Sequence, residues 1–418
     1  MKVLYVLAKF PSTTTTFVTN EMNGLRRHGA EVEVAALWPS ARDDVVHEQD
    51  RFLLARTIKL HRGANVLAGL FLCPYFWLVR PLAMARSMGL VWEHFTSALG
   101  LLKFLACLPA ALALAWHCGS RRCDILHAHF LSSAALVAMI TSWLTGIPFT
   151  ITAHAYDIFV HDPRTFPQAV ARKCREAAFV IVVHRFGRNF LLSRFPGIPA
   201  EKLRVLHIGI DPAVFEPRPR SRRPDEAIHI LSNGSLIEKK GHDVLVEAVA
   251  RLREAGHQVM LTIIGGGGAA ALRRQIACLG LEQVVVLASK VPQSQVVNML
   301  AESDLFALAS KRAANGDMDG IPTVLLEALA MEVPVVTTRL SGIPELVIEG
   351  QTGYLAEPGD AASFATALQE ALAQPERAAS MARRGRERVI AEFSASTNAA
   401  RLLEMWKCHL HGIRLFTE

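Results

Sequence analysis

The sequence predicts an α/β protein built from two doubly wound domains. Three observations predict it. A chain of 418 residues is too long for one core and comfortable for two. Short apolar, β-rich runs alternate with helical patterns of about 10–15 residues, which is the signature of a parallel sheet. That alternation stops at a Pro- and Arg-rich break and then starts again.

The first half opens with the strand-like run KVLYVLA. An amphipathic helical stretch follows in FVTNEMNGLRRHG, with a turn at His28-Gly29 and a second strand in AEVEVAAL. The runs CDILHAHF, PFTITAHA, AAFVIVVH and KLRVLHIGI repeat the theme. The break DPAVFEPRPRSRRPDEA lacks periodicity and suits an interdomain linker. The second half then reads IHILSNG, VMLTIIGGG, QVVVLAS, LFALAS, VPVVTT and TGYLAE as strands, with a long helical stretch from about Ala361. The expected boundaries are an N-terminal domain at 1–217, a C-terminal domain at 225–390, and a terminal helix at 391–418 returning to the first domain.

One region departs from the scheme. Ala64–Val79 carries no charge, and Phe104–Cys118 is nearly as apolar. Neither reaches the roughly 20 residues of a straight membrane span, and Pro74 and Pro109 sit inside them. Two readings stay open for an insertion at about 64–118. It forms buried core helices, or it forms a surface that dips into a membrane interface, helped by Arg62, Arg80, Arg86, Arg121 and Arg122.

Charge narrows the partners. Lys and Arg number 45 against 38 Asp and Glu, a surplus of +7. Such a balance favours an anionic partner: a phosphorylated ligand, a membrane surface or nucleic acid. The basic residues show no aromatic interleaving, helix-turn-helix or zinc-finger pattern, so nucleic acid is not expected. Seven scattered cysteines, an odd number without a C-x-x-C, read as reduced thiols of a cytoplasmic enzyme. The N-terminus enters a strand at once, and no secretory signal is read there.

The chemistry concentrates in NGDMDGIPTVLLEALAMEVPVV, Asn315–Val336. Pro322 suits a helix start, where its missing N–H costs nothing. Free N–H groups and the positive dipole end there favour phosphate oxygens, and Gly320 lets a ligand touch the backbone. Asp319 and Glu327 stand eight apart, one at the loop lip and one about two turns into the helix. Carboxylates so placed suit the hydroxyls of a sugar or ribose. A second loop, after Asn233-Gly234, carries Glu238, Lys239 and Lys240 and ends at Gly241. A lysine there can meet a diphosphate as a point charge; Lys239 is read as a solvated loop residue. Four glycines, Gly265–Gly268, follow a third strand. Cys118, Cys123, His127 and His129 imitate a metal-ligand set, but His127 and His129 fall on one face of a strand end, and no metal is expected.

Taken together, GSLIEKKGHDVLVEA, LTIIGGGG, VPQSQV and DGIPTVLLEALAMEVPVVTTRLSGIPELVIEGQTGYL resemble the donor-binding half of family-4 retaining glycosyltransferases. FPSTTTTFVTNEMNGLRRHGAEV, LHAHF, GIPFTITAHAYDIF and IGIDPAVFEP are similar to the subgroup acting in exopolysaccharide and colanic-acid-type assembly. The resemblance covers nearly the whole chain and is most specific from Asp319 to Val347. It implies a GT-B fold, two Rossmann-like domains facing a central cleft, with no obligatory metal and no cofactor beyond a nucleotide-sugar cosubstrate of the UDP or GDP type.

The resemblance also assigns roles. Glu327 would hold the donor ribose and Asp319 would contact the donor sugar. Lys240 and the backbone around Gly320, Ile321, Pro322, Thr323 and Val324 would hold the diphosphate. Gly234, Ser235, Gly265, Gly266 and Val291 would complete the donor site. His154 would face the transferred sugar. Thr15, Thr16, His129 and Asp157 would border the acceptor, a lipid-linked glycan at the inner face of an anionic membrane.

Two features depart from the family pattern. Gly234-Ser235-Leu236 stands where the family reads Gly-Arg-Leu, and the missing arginine normally shares the diphosphate charge; Lys239, Lys311 and Arg312 are the candidate replacements. Glycines also stand at 266–268 where the family tends to place an acidic residue or proline. The expected reaction is sugar transfer with retention, without a protein nucleophile. The alternatives are an epimerase-like enzyme and a weakly active or non-catalytic sugar-nucleotide-binding partner.

Overall fold

The structure is a computed structural model that describes residues 1–11, 16–40, 51–91, 98–160, 167–218 and 226–413. Met1–His207 and Ala395–Glu418 make one compact unit, and Ile208–Ser394 makes the other.

The first unit carries seven parallel strands: β1 (Lys2–Lys9), β2 (Glu31–Trp38), β3 (Ile58–Lys59), β4 (Ile125–His129), β5 (Phe149–Ala153), β6 (Val180–Val182) and β7 (Leu203–Val205). Their order is β3-β2-β1-β4-β5-β6-β7. Every residue of β4 and β5 is buried, as expected when helices cover both faces of a parallel sheet. From β1 the chain winds one way to β2 and β3, and from β4 the other way. The loops after β1 and β4 therefore diverge at the carboxyl edge, the place where such sheets bind ligands.

The helix Ala395–Leu410 belongs to this unit. Its Leu402, Leu403 and Trp406 pack into one core with Val18, Met22 and Leu25 of the helix Thr16–Arg27. Trp406 is fully buried and donates its ring N–H to Thr150 at 3.0 Å. Burying side chains of this size contributes about 2–3 kcal/mol each.

The second unit has six parallel strands: β8 (Ile228–Asn233), β9 (Val259–Ile264), β10 (Val285–Ala288), β11 (Leu305–Ala307), β12 (Val335–Thr338) and β13 (Tyr354–Ala356). Their order is β10-β9-β8-β11-β12-β13, so winding reverses between β8 and β11. Part of the segment expected as a linker is packed here instead. Ile210 bridges Ser394, Phe215 is 1% exposed, and Arg386 donates to the Phe215 carbonyl at 2.9 Å. Within the Pro-rich run, Phe215 is the large apolar side chain that ties it to the core; residues 219–225 lie outside the described ones.

The apolar region at 64–118 divides between its two readings. The helix Ala98–Arg121 buries Phe104, Cys107 and the whole run Ala110–Ala115. The helix Gly63–Val79 buries only Gly69 and Phe76, and leaves Phe71 81% and Leu78 83% exposed. Leu82, on the helix Pro81–Gly89, is 86% exposed. Pro74 and Pro109 both lie within helices. Among the described residues no helix is long and apolar enough to cross a membrane.

Candidate active site

Each unit gathers polar side chains where its sheet winding reverses. In the second unit, the loop after β8 closes into a short 3-10 turn, Glu238–Lys240, and Gly241 starts the next helix at φ +63. A Cβ at Gly241 would sit 1.8 Å from the Ala309 carbonyl oxygen, and one at Gly265 would sit 2.0 Å from that of Gly234. These glycines bring three loops into backbone contact, with Gly234 N–H donating to Ile264 at 2.9 Å and Lys311 N–H to Lys239 at 2.9 Å.

That contact sets one ion cluster. Lys240 Nζ lies 2.7 Å from Asp319 Oδ2, and Lys239 Nζ lies 3.5 Å from Asp319 Oδ1 and 3.1 Å from Asp317. The Ser310 hydroxyl donates to Asp319 at 3.3 Å and is itself buried. Burial would raise the Asp319 carboxyl, but Lys240 and Lys239 beside it bring it below the usual carboxylate range. A buried charge of this kind needs such partners.

The helix Thr323–Ala330 begins beside this cluster, with Pro322 as its N-cap. Glu327 sits on that helix between the buried Leu326 and Ala328. No hydrogen-bond donor among the described residues reaches its carboxylate, and burial pushes it up to about 7. Such a carboxylate accepts hydroxyl donors readily, because it has none of its own.

In the first unit, His129 ends β4, and His154 follows β5 directly. His129 Nδ1 lies 2.9 Å from His154 Nε2, and His129 Nε2 lies 3.0 Å from Glu21 Oε1. Glu21 also accepts from the Tyr5 hydroxyl at 2.6 Å. Burial alone would raise the Glu21 carboxyl; the adjacent His129 and His127 and the Tyr5 bond bring it down to about 2. Burial, then His129, hold the His154 imidazole well below its ordinary value. His154 and Asp157 form a reciprocal capping box on the helix Ala155–Phe159, with His154 N–H 3.4 Å from Asp157. Burial raises Asp157 to about 7 against its backbone hydrogen bonds.

The expected imitation of a metal site comes apart. Cys118 and Cys123 hydrogen-bond each other. His127 and His129 instead join Glu21, with ligand atoms within 4.8 Å of one another. His127 already uses Nδ1 on Thr150 at 2.8 Å and Nε2 on Thr152 at 3.1 Å.

Residues 14–214 match the family described as Glycosyltransferase Family 4, and residues 215–388 match Glycosyl transferases group 1. The chain is 31% identical over 392 residues to the amylovoran biosynthesis glycosyltransferase AmsK of Erwinia amylovora, covering 88% of this chain and 90% of that one. It belongs to the group 1 glycosyltransferases.

This glycosyltransferase is also 31% identical over 409 residues to the putative colanic acid biosynthesis glycosyltransferase WcaL of Escherichia coli K12, covering 94% and 96% of the two chains. Among solved structures, a glycosyltransferase of Rickettsia africae superposes with a TM-score of 0.73 at 17% identity, over 98% of each chain. Anabaena Alr3699/HepE in complex with UDP superposes with a TM-score of 0.71 at 18% identity, over 97% of this chain and 100% of that one. The fold is GT-B, and the relatives are transferases, which does not favour the epimerase-like alternative.

Lys240 and Asp319 meet; Gly234 and Gly265 lie on the loops that converge there, Gly320–Pro322 follow Asp319 directly, and Thr323 and Val324 open the next helix. Ser235 and Gly266 are exposed, and Val291 follows the edge strand β10. Lys239 is not the solvated residue it was read as, since two aspartates hold it. Lys311 turns away to Asp243 at 2.5 Å. His129 departs from the expected contact with an acceptor: it is 1% exposed, and both ring nitrogens are committed. Thr16 is exposed at its helix start; Thr15 lies outside the described residues. Sequence reasoning passed over Glu21 and Tyr5. The signal was available, because Glu21 falls among Val18, Met22 and Leu25, the apolar face of its helix.

Proposed function

We propose that this glycosyltransferase moves a hexose from a UDP- or GDP-sugar, with retention, to a hydroxyl of a lipid-linked glycan during surface polysaccharide assembly. The observation that carries the reading is the Lys240–Asp319 pair standing beside a helix start with unpartnered Glu327 on the same helix. In this reading Lys240 and the backbone at 321–324 receive the diphosphate, Glu327 takes the ribose diol, and Asp319 takes a sugar hydroxyl. The acceptor oxygen bonds to the anomeric carbon on the face from which the diphosphate leaves. Its proton passes to the departing phosphate oxygen, so no protein base is required. Charge accumulating on the leaving group meets pre-placed cations and N–H groups, usually the largest catalytic contribution. The amylovoran and colanic acid biosynthesis relatives support the product class, and the UDP complex of Alr3699/HepE supports the donor class.

A thermal-shift screen over UDP- and GDP-sugars tests the donor; a tight ligand stabilises by mass action. Stabilisation by one nucleotide, lost in Glu327→Ala, is expected. Wild-type protein unmoved by every nucleotide diphosphate would sink the reading.

A membrane face belongs to the same proposal. The stretch 51–121 holds eight Lys and Arg and a single acid, Glu93, a surplus of seven that equals the surplus of the entire chain. It also carries the exposed Leu67, Phe71, Leu78 and Leu82. Cations next to exposed apolar side chains suit an anionic interface, which attracts the charge and accepts the apolar groups. Flotation with anionic vesicles is expected, and Phe71→Glu with Leu78→Glu should abolish it. Equal flotation of the variant would refute this face.

A further inference from the structure

The buried line running from Tyr5 through Glu21 and His129 to His154 is not required by the donor reading above, and its direction can be worked out. Four elements build it: β1 supplies Tyr5, the helix Thr16–Arg27 supplies Glu21, β4 supplies His129, and the turn after β5 supplies His154. A carboxylate only accepts hydrogen bonds, so the proton between Glu21 and His129 belongs to His129 Nε2. At the far end, the capping box points the N–H of Asp157 at the His154 side chain. The ring nitrogen there must therefore present a lone pair. Neutral His154 then carries its proton on Nε2, and donates it to His129 Nδ1 at 2.9 Å. Reasoning from the two ends gives the same chain: His154 donates to His129, His129 donates to Glu21, and Tyr5 donates to Glu21 from the other side.

The geometry points to Glu21 and His129 as positioning residues that hold His154 in its neutral, Nε2-protonated tautomer and so keep it from acting as acid or base at the sugar. Glu21 anchors the line, and His129 transmits the anchoring. Both His154 nitrogens are spent inside the protein, which leaves its ring edge and backbone to face a substrate. The consequence for the chemistry is definite: an imidazole that cannot accept the acceptor's proton leaves that proton to the departing diphosphate. The inference rests on the proposed reading only for what His154 faces; the proton order rests on geometry alone.

The test reads protons directly. In wild-type protein with 15N-labelled histidine, both His129 and His154 are expected as Nε2–H tautomers. Glu21→Gln keeps an acceptor oxygen and should retain kcat within about fivefold. Glu21→Leu removes it, and kcat should fall about 10–100-fold with the donor KM within threefold, as for other outer positioning groups. An Nδ1–H tautomer at either histidine in the wild type would overturn the inference, even if Glu21→Leu proves too unstable to assay. So would metal-bound nitrogens at His127 and His129, or equal losses in the Gln and Leu variants. Wild-type protein that transfers no sugar but shows the expected tautomers would sink the proposed function and leave the proton order standing.

Discussion

Glu21 and Glu327 occupy the same structural situation and meet opposite fates. Each is a half-buried carboxylate on a helix, and each helix lies near the winding reversal of its sheet. Glu21 has two histidines and a tyrosine around it and is brought down to about 2. Glu327 has only burial and rises to about 7. The difference separates two uses of a buried charge. Glu21 is complete in the free protein and holds other groups in place. Glu327 has no such partners, at a cost in stability, and in the proposed reading hydroxyl groups of the donor would supply them.

The largest effect expected from this contrast is on turnover. Glu327→Ala should lower transfer by about 10²–10³, the scale of losing one well-placed charged contact at a reacting substrate. Its melting temperature should hold or rise, because an unpaired buried acid is removed. Glu21→Ala should do the reverse in stability, costing about 3 kcal/mol in urea unfolding, since His129 and Tyr5 then lose their buried partner. If Glu327→Ala unfolds more easily than Glu21→Ala, the contrast fails.

Lys240→Ala tests the same rule where the pair is intact. It leaves Asp319 buried with Lys239 at 3.5 Å as its nearest cation. A loss of about 2–3 kcal/mol is expected, and Asp319→Asn in the same chain should restore much of it while transfer stays lost. Stability that is unrestored by the double change would show that Lys240 serves packing over Gly234 rather than charge.

The pH dependence should sharpen the contrast further. Glu327 is raised from 4.5 to about 7, so its protonated form favours the folded state: that stability is present below pH 4.5 and is lost as pH rises toward 7. At about 1.4 kcal/mol per pH unit the ceiling is about 3 kcal/mol, and Glu327→Gln should flatten this window. Glu21 is depressed, so its contribution is present above 4.5 and disappears only as pH falls toward 2. Ribose hydroxyls donating to Glu327 would favour its ionised form. Nucleotide binding near pH 6 should therefore release protons, up to one, in calorimetry across buffers of different ionisation enthalpy. Release that persists in Glu327→Gln would assign it elsewhere.

The fold was legible because its signals are local and repeated. Parallel strands buried on both faces leave apolar runs such as VLYVLA, and the glycines mark where backbones touch. Asp319 and Glu327 were legible because their loop and helix are contiguous in sequence, and Lys240 because its polar loop runs directly from a strand to Gly241. What escaped was non-local or depended on burial. Tyr5, Glu21, His129 and His154 come from four separate elements, and only the sheet order brings them together. His129 looked available because a histidine at a strand end is often exposed, and nothing in HAHF reveals that two neighbours take both its nitrogens. Phe215 looked like linker because proline and arginine around it masked a single anchoring side chain.

The smallest expected effect concerns Ser235, where the family arginine is missing. The side chain is exposed, and Lys239, four residues further along the same loop, is held by Asp317 and Asp319. If Lys239 already supplies the second positive charge to a diphosphate, Ser235→Arg should raise kcat by less than threefold. Lys239→Ala should then lower it about tenfold, and Ser235→Arg should recover that loss. A bidentate guanidinium binds phosphate more strongly than an ammonium, so a gain of tenfold or more from Ser235→Arg alone would mean that Lys239 stays with its aspartates. In that case the contrast between complete and incomplete groups extends to cations: Lys239, like Glu21, would be spent inside the protein, and Lys240 alone, like Glu327, would be kept for the substrate.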